Sequence, residues 1–298
     1  MRERTELLLR SQGLDPLDVN WIVENALRED LGAGHLDVTS EATIPAEQID
    51  TAHVVAREAG VVAGLAVAAA VFESAGQPEI PSAEVRLLFE DGDEIKRGDV
   101  LATITGPART LLAAERTALN LLCRMSGVAT HTRAWVRELE GTKARVLDTR
   151  KTTPGLRPLE KYAVRAGGGT NKRMGLYDVA MIKDNHKVAA GSITAAFGRV
   201  RGGYPQIEIQ VEVTTVDEAR EAVTAGATFL LCDNMTPALL REVVAAVGDR
   251  AELEATGGLT LERAAEFAAT GVDYLSVGAL THSSPIVDIA LDLSPREE

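Results

Sequence analysis

The chain has 298 residues, of which 45% are hydrophobic and 25% charged, and its formal net charge is −13. This length suits one barrel-sized domain or two unequal domains with a packed core. The negative charge argues against nucleic acid and anionic membranes as general partners. The two cysteines, Cys123 and Cys232, lie far apart and show no metal-ligand spacing, which argues against a disulfide framework or a zinc site.

The first third of the chain predicts a small α+β domain. Its first residues alternate charge with leucine and lack an apolar signal core, so we expect a cytoplasmic protein. The longest apolar run, 61–72, is too short to cross a bilayer. Alternating segments at 51–57 and 84–106, with an alanine-rich helix at 64–75, predict the domain, and a long helix at about 107–138 follows.

A basic island lies within this acidic chain at residues 143–187. It contains eleven Lys or Arg and four Asp or Glu, so its balance is +7 and the remainder of the chain carries −20. Nucleic acid usually needs a broad basic face, whereas a local cluster suits a small ligand with several negative charges. The island therefore predicts a polyanionic small-molecule ligand.

The second half of the chain repeats an apolar strand, a polar residue and an amphipathic helix. Glu212, Asp233 and Glu254 end three such strands at intervals of 21 residues. Because one strand, one helix and two short loops need about that many residues, we expect the three carboxylates at equivalent places at the carboxyl ends of parallel strands. Further strands at 144–149, 177–185 and 273–280 predict an α/β barrel.

Cations follow two of these predicted strands, where barrel enzymes place their active sites. Arginine offers a planar fork for carboxylate or phosphate, and lysine a mobile point charge. A triple glycine at 167–169 precedes one pair and would let the backbone approach a ligand closely. The structural alternatives are surface cations and an ion pair from Lys183 to Asp184. The candidate cations are Arg150, Lys151, Lys172, Arg173 and Lys183.

Carboxylates and glycine loops supply the remaining candidates. Glu212, Asp233 and Glu254 could hold a divalent cation, bind sugar hydroxyls, or form a network with the lysines. The loops 256–258 and 276–279 follow the last strands, where backbone N–H groups favour a phosphate. Arg116 lies among apolar neighbours in the long helix and needs an anionic partner.

In these motifs the chain resembles the quinolinate phosphoribosyltransferase family. The resemblance covers nearly the whole chain, through EDLGAGHLDVTS at Glu29, ERTALNLLCRMSGVAT at Glu115, the run from Asp148 to His186, EVTTVDEA at Glu212, LCDNMTP at Leu231, EATGGLT at Glu254 and SVGALTHS at Ser276. It implies an N-terminal α/β sandwich at 1–116, a seven-stranded, incomplete TIM-like α/β barrel at 117–285, and a tail at 286–298 that returns to the first domain.

The resemblance also implies an activity and an assembly. Phosphoribosyl would pass from phosphoribosyl pyrophosphate (PRPP) to quinolinate with loss of CO2, giving nicotinate mononucleotide and pyrophosphate. Mg²⁺ would accompany PRPP, with Glu212 and Asp233 as its ligands, direct or indirect, and no organic cofactor would be needed. The enzyme would be a homodimer with shared active sites, and such dimers could assemble further into a hexamer.

Residue roles carry over position by position. Arg150, Arg173, residue 172 and the partner subunit's Arg116 would hold quinolinate, and Lys151, Lys183, Glu212 and Asp233 would act on PRPP and in catalysis. The full set of substrate-binding residues implied is Arg116, Thr149, Arg150, Lys151, Lys172, Arg173, Lys183, Glu212, Asp233, Thr256, Gly257, Gly258, Ser276, Val277 and Gly278.

Two positions depart from the family pattern. Lys172 stands where the family has histidine, in Asn-Lys-Arg instead of Asn-His-Arg, and Thr256 stands where it has serine. Lysine can pair with a carboxylate but cannot act as a neutral imidazole. Threonine keeps the hydroxyl group.

Three alternatives remain open at this point. Lys172 leaves room for a pyrophosphorylase-like paralogue linked to molybdenum uptake, and Lys183 at a strand end could form a Schiff base in a barrel lyase. The segment 91–106 resembles a biotinyl or lipoyl carrier, but Lys96 lacks the Met-Lys-Met type of turn. We interpret this last likeness as shared β-strand architecture.

Overall fold

The structure, a computed structural model, describes residues 1–76 and 82–295. The chain divides into two compact units: the first comprises Met1–Arg133, Thr152–Gly168 and the residues from Ser283 onward, and the second Ala134–Lys151 and Gly169–His282. The sequence predicted boundaries after 116 and 285, whereas the units divide after Arg133, inside a long helix, and after His282. Within the predicted tail 286–298, residues 296–298 lie outside the described residues.

The helices of both units are named in chain order. They are α1 (Glu3–Ser11), α2 (Pro16–Leu31), α3 (Val38–Thr43), α4 (Leu65–Ser74), α5 (Ala108–Glu138), α6 (Arg157–Ala166), α7 (Asp184–Ala190), α8 (Ile193–Gly203), α9 (Val216–Thr224), α10 (Pro237–Val247), α11 (Ala264–Ala268) and α12 (Ala279–His282), with a 3-10 turn at Leu261–Arg263 before α11. In the described ranges, none of these helices combines the length and the apolar content needed to cross a membrane.

The first unit contains an antiparallel sheet. Its strands are β1 (Ile49–Ala56), β3 (Glu84–Leu87), β5 (Val100–Pro107) and β12 (Ile289–Leu293), in the order β12-β1-β5-β3, and the short strands β2 (Gly60–Val61) and β4 (Glu94–Ile95) form a separate pair. The end of the chain joins this sheet, because β12 pairs with β1. The alanine-rich helix α4 buries every residue from Leu65 to Glu73, which its apolar composition explains.

The second unit is built around a parallel sheet of six strands. They are β6 (Arg145–Leu147), β7 (Val179–Ile182), β8 (Glu208–Val213), β9 (Phe229–Asp233), β10 (Glu252–Thr256) and β11 (Tyr274–Ser276), in the order β6-β11-β10-β9-β8-β7. Each was predicted from its apolar pattern. The predicted seventh strand is reduced to an isolated parallel bridge between Thr170 and Leu147. The glycines at 167–169 directly before Thr170 favour such an interruption, because glycine weakens strands.

Polar caps fix where the helices between these strands begin. Ser192, Thr215 and Thr236 accept hydrogen bonds from backbone N–H groups two to three residues into α8, α9 and α10. Pro237 adds a favourable first residue to α10. Each cap satisfies a backbone N–H donor that the helix cannot satisfy itself, so the residue at which the helix begins is defined.

The sheet register corrects one expectation about the three carboxylates. Glu212 and Glu254 both pair with Leu231 of β9, so these two acids share one row across the sheet. Asp233 pairs with Thr256 and therefore lies two residues further toward the carboxyl end. The interval of 21 residues predicted equivalent positions for the three carboxylates, but β9 is shifted along its axis by two residues relative to its neighbours. All three side chains still point to the same face, because a shift of two residues preserves the alternation.

Candidate active site

A cavity of about 470 Å³ opens at the carboxyl ends of the strands of the second unit. Ten predicted site residues line it: Thr149, Arg150, Lys151, Lys172, Arg173, Lys183, Glu212, Asp233, Thr256 and Ser276. Glu254, a candidate carboxylate without an assigned role in substrate binding, lines it as well, and so do Asp148, Met181 and Leu231, which the sequence did not indicate as site residues. Arg116 is exposed on α5, in the first unit, and its predicted role in a partner subunit's site stays a prediction.

Two arginines with like charge face this cavity together. Burial and the neighbouring charge of Arg150 lower the pKa of Arg173. Arg173 donates to the carbonyl of Val179 at 3.3 Å and contacts the sulfur of Met181 at 3.5 Å. The Nε atom of Arg150 is buried without a hydrogen-bond partner. Guanidinium groups that repel each other and retain a buried, unpaired donor are suited to an anion that bridges them.

Lys172 reaches in a different direction from the one predicted. Its Nζ atom lies 2.9 Å from Glu208 Oε1 and 3.6 Å from the centre of the Phe229 ring. Glu208 and Phe229 are the first residues of β8 and β9, so the ammonium group points toward the amino ends of the strands. Burial opposes ionisation of Glu208, but hydrogen bonds from Gln210 and Lys172 lower its pKa. The aliphatic part of the Lys172 side chain therefore lines the cavity, while Glu208 neutralises its ammonium group nearer the amino ends of the strands.

Asp148 holds the loop that carries Lys172 and Arg173. Its carboxylate is 1% exposed and accepts hydrogen bonds from the Asn171 side chain at 2.7 Å and the Lys172 backbone N–H at 2.9 Å. Because Asp148 directly follows β6, this contact fixes the loop after Thr170 to the end of that strand. The sequence contained a signal for this residue, since a buried aspartate beside cations needs such partners.

Lys183 and Glu212 form a pair at the ends of β7 and β8. Their Nζ and Oε2 atoms are 3.5 Å apart. The alternative ion pair from Lys183 to Asp184 is wrong, because Asp184 pairs with Lys187 at 2.7 Å. Asp233 accepts a hydrogen bond at 2.9 Å from the side chain of Asn234.

The glycine loops approach their neighbours closely. Gly257 and Gly258 have φ angles of +88° and +60°. A Cβ atom on Gly257 would lie 2.3 Å from Asn234 Oδ1, so the loop after β10 packs directly on the loop after β9. This contact explains why glycine is needed at position 257.

The last predicted loop borders Lys151. Val277 donates its backbone N–H to the carbonyl of Leu147 at 3.0 Å, so this donor is already used. A Cβ atom on Gly278 would lie 2.9 Å from Lys151 Cδ. The hydroxyl of Thr281 donates to the carbonyl of Lys151 at 2.8 Å, which ties this lysine to α12. A phosphate at this loop would therefore meet Gly278 and Lys151, with the N–H of Val277 unavailable.

Glu254 is a second deeply buried carboxyl group at the cavity. It is 3% exposed, its Oε1 accepts a hydrogen bond from the Ser276 hydroxyl, and its Oε2 has no hydrogen-bond partner. Burial raises its pKa to about 7, although the Ser276 hydroxyl and the charges of Lys172 and Arg173 act in the opposite direction. The group is therefore poised between its protonated and ionised forms near neutral pH.

A parallel-stranded barrel whose strand ends converge on paired cations and carboxylates defines an enzyme that handles anionic small molecules. Two family models match the chain: the C-terminal domain of quinolinate phosphoribosyl transferase at residues 128–292 and its N-terminal domain at 37–126. The chain belongs to the quinolinate phosphoribosyltransferase family, as the resemblance in its motifs predicted.

Individual relatives agree over nearly their whole length. Nicotinate-nucleotide pyrophosphorylase [carboxylating] of Mycobacterium leprae is 47% identical, over 91% of this chain and 95% of its own. The probable enzyme of the same name from Bacillus subtilis is 42% identical, over 96% of both chains. The structure of NadC from Streptococcus pyogenes matches with a TM-score of 0.88 at 36% identity, covering 94% of this chain and 98% of that one.

Proposed function

We propose that this chain transfers the phosphoribosyl group of PRPP to quinolinate and releases CO2, giving nicotinate mononucleotide and pyrophosphate for NAD biosynthesis. The observation that carries the proposal is the facing pair Arg150 and Arg173, with a buried, unpaired donor on Arg150. The names of the family relatives support the same reaction. Quinolinate carries two adjacent carboxylates, which suit two adjacent guanidinium forks.

The apolar part of the cavity suits a flat pyridine ring. Met181 and Leu231 contribute side chains to a wall that is otherwise polar. Arg173 contacts the Met181 sulfur at 3.5 Å, so the apolar surface and the carboxylate-binding group are held next to each other. This arrangement would orient the ring while the arginines hold its carboxylates, because binding sites commonly combine an apolar surface with a few placed polar groups.

PRPP would occupy the side of the cavity formed by Lys151, Lys183, Glu212 and Asp233. Each charge-assisted hydrogen bond contributes about 1.5–3 kcal/mol, so several fixed cations can hold both anions together. The loops at Thr256 and Gly278 would receive the phosphate of the ribose, since Gly278 borders Lys151. Arg173 and Lys183 would then separate the acceptor side from the donor side.

The donor set fits a magnesium ion that arrives with PRPP. Among the described residues, no group of three or more His, Cys, Asp or Glu side chains could hold a metal. Glu212 and Asp233 are two carboxylates at one cavity, and Mg²⁺ is commonly held by one or two carboxylates together with substrate phosphates. The ion would neutralise charge on the departing pyrophosphate.

The two chemical steps follow from the charges in the cavity. The pyridine nitrogen attacks C1 of the ribose, pyrophosphate leaves, and positive charge develops at the ring carbon of the sugar. Glu212 and Asp233 can stabilise that charge, while Lys151 can stabilise the leaving group. Once ribosylated, the nitrogen is cationic and accepts the electron pair left when the adjacent carboxylate departs as CO2. This route needs no organic cofactor.

We further propose a homodimer in which Arg116 of the partner subunit completes the quinolinate site. Support comes from the exposure of Arg116 and from an apolar surface at Leu176, Tyr177 and Val188, which are 75%, 79% and 82% exposed. Light scattering would measure the mass of the assembly in solution and would distinguish a dimer from a hexamer. Mixing the Arg116→Ala and Arg173→Ala variants should restore activity at a low quinolinate concentration, at which each variant alone is impaired. No recovery after verified subunit exchange would contradict the shared site.

A direct assay tests the proposed reaction. Purified protein with quinolinate, PRPP and Mg²⁺ should release pyrophosphate and CO2 in equal amounts with nicotinate mononucleotide. Reactions without quinolinate control for simple hydrolysis of PRPP. Absence of quinolinate-dependent pyrophosphate release would overturn the proposed function and favour a different acceptor for the same fold.

A further inference from the structure

We propose that Glu254 is the acid that protonates C2 of the pyridine ring as CO2 leaves. This inference rests on the proposed function and adds a residue with a defined step. Decarboxylation leaves an electron pair on C2 of the ring, next to the cationic nitrogen. That carbon needs a proton from a group in the cavity before the product can form.

The position of Glu254 suits this task. It lies in the same row across the sheet as Glu212 and Leu231, two residues deeper than Asp233 and Thr256. The Ser276 hydroxyl fixes one carboxyl oxygen, while the other oxygen is buried without a partner in a side chain that lines the cavity. A buried acid with one anchored oxygen and one unused oxygen is oriented to deliver a proton.

The other carboxyl groups of the cavity are differently engaged. Asp148 accepts hydrogen bonds from Asn171 and the Lys172 backbone. Glu212 pairs with Lys183, and Asp233 lies two residues nearer the carboxyl ends of the strands and accepts a hydrogen bond from Asn234. These carboxylates already have protein partners, whereas Glu254 Oε2 has none. Glu254 accepts one hydrogen bond, from the neutral Ser276 hydroxyl, and its burial favours the protonated form.

The electrostatic surroundings of Glu254 agree with a proton held near neutral pH. Burial raises its pKa to about 7. The charged and titratable groups that face or adjoin it are Lys172 and Arg173 from the loop after Thr170, Asp148 after β6, Cys232 on β9 and, in the same row, Glu212 on β8. The two cations lower the pKa and Asp148 raises it, so the proton is held weakly enough to be transferred.

The step balances in atoms and charge. The bond between C2 and the carboxylate carbon breaks, CO2 leaves, and its bonding electrons stay on C2. In the same step the Glu254 O–H bond breaks, its proton forms the new C2–H bond with that electron pair, and Glu254 becomes a carboxylate. A proton from solvent restores the acid before the next turnover. No oxidant or reductant takes part.

The experiment separates the two chemical steps in the Glu254→Gln variant. Rapid-quench measurements with PRPP and with quinolinate labelled in its C2 carboxylate give pyrophosphate and labelled CO2 within one turnover. We expect pyrophosphate release within a few-fold of wild type, and CO2 and nicotinate mononucleotide formation about 100-fold slower, because a general acid typically contributes 10²–10⁴-fold. Ribosylated quinolinate should accumulate on the enzyme.

A matched control and a second readout make the test decisive. Glu252→Gln changes an exposed glutamate at the start of the same strand and should leave both steps unchanged. In wild type, the rate of the CO2 step should fall above about pH 7, and Glu254→Gln should lack this decline. Equal loss of both steps, no loss of either, or a wild-type CO2 step that is flat from pH 6 to 9 would each overturn the role. A wild type without quinolinate-dependent pyrophosphate release would instead refute the proposed function.

Discussion

The buried carboxyl of Glu254 makes the stability of the second unit depend on pH. Its pKa is raised from 4.5 to about 7 by burial, so the folded state binds this proton more tightly than the unfolded state. The stabilisation due to this proton is fully present below the pKa of the unfolded state, 4.5, and is lost as pH rises through the pKa of the folded state, about 7. A shift of this size corresponds to roughly 3 kcal/mol over the whole range.

Glu254→Gln removes the titration while keeping the shape and an acceptor for Ser276. We expect the free energy of unfolding of wild type, minus that of the variant, to fall by about 1 kcal/mol between pH 6 and pH 8. Working above pH 6 avoids the acidic range in which this chain, with a net charge of −13, approaches neutrality and precipitates.

Denaturant unfolding at several pH values measures this difference, because titrations common to both proteins cancel in it. Glu252→Gln, on the same strand but exposed, should show a constant difference from wild type across the range. A wild-type minus Glu254→Gln difference that stays constant, or that rises with pH, would show that the folded state does not hold the proton. It would also remove the electrostatic support for Glu254 as an acid.

Arg173→Ala should raise the KM for quinolinate about 10- to 100-fold while changing the KM for PRPP little, because a charge-assisted contact is worth about 1.5–3 kcal/mol. Steady-state kinetics with each substrate varied in turn would measure both constants. Equal effects on the two KM values would contradict the assignment of Arg173 to quinolinate. Gly278→Ala should displace Lys151, whose Cδ would lie 2.9 Å from the new Cβ, and raise the KM for PRPP, whereas Gly202→Ala, with open space around it, should not. Lys172→His should remain active with quinolinate, since the ammonium group of Lys172 points toward the amino ends of the strands. An inactive wild type with an active Lys172→His variant would mean that the natural acceptor is not quinolinate.

The strands of the second unit could be predicted because their apolar patterns repeat with a fixed interval. What the interval could not give is the stagger between neighbouring strands. Asp233 and Glu254 are both 21 residues from their predecessors, yet the pairing places Asp233 opposite Thr256 and Glu254 opposite Leu231. Stagger depends on how side chains pack between strands and on where each helix begins, and neither is visible in a count of residues.

Charge in the sequence located the site but overstated its size. Of the eleven cations in the basic island, five line the cavity: Arg150, Lys151, Lys172, Arg173 and Lys183. Others are occupied elsewhere: Lys143 pairs with Asp273, Lys187 with Asp184 and Glu218, and Arg165 lies over Tyr162. Composition sums charges along the chain, whereas a ligand responds to those that share one cavity.

Position 172 shows why a residue's role depends on its reach as well as its place. The motif put Lys172 beside Arg173, and both line the cavity as predicted. A lysine side chain is long enough for its ammonium to leave that level and find Glu208 at 2.9 Å and the face of Phe229 at 3.6 Å. An ammonium gains from both a carboxylate and an aromatic face. Without Lys172, Glu208 would lose its cation at the amino ends of the strands. The charge of Lys172 is therefore neutralised away from the cavity, and in the proposed function the two arginines would hold the acceptor's carboxylates.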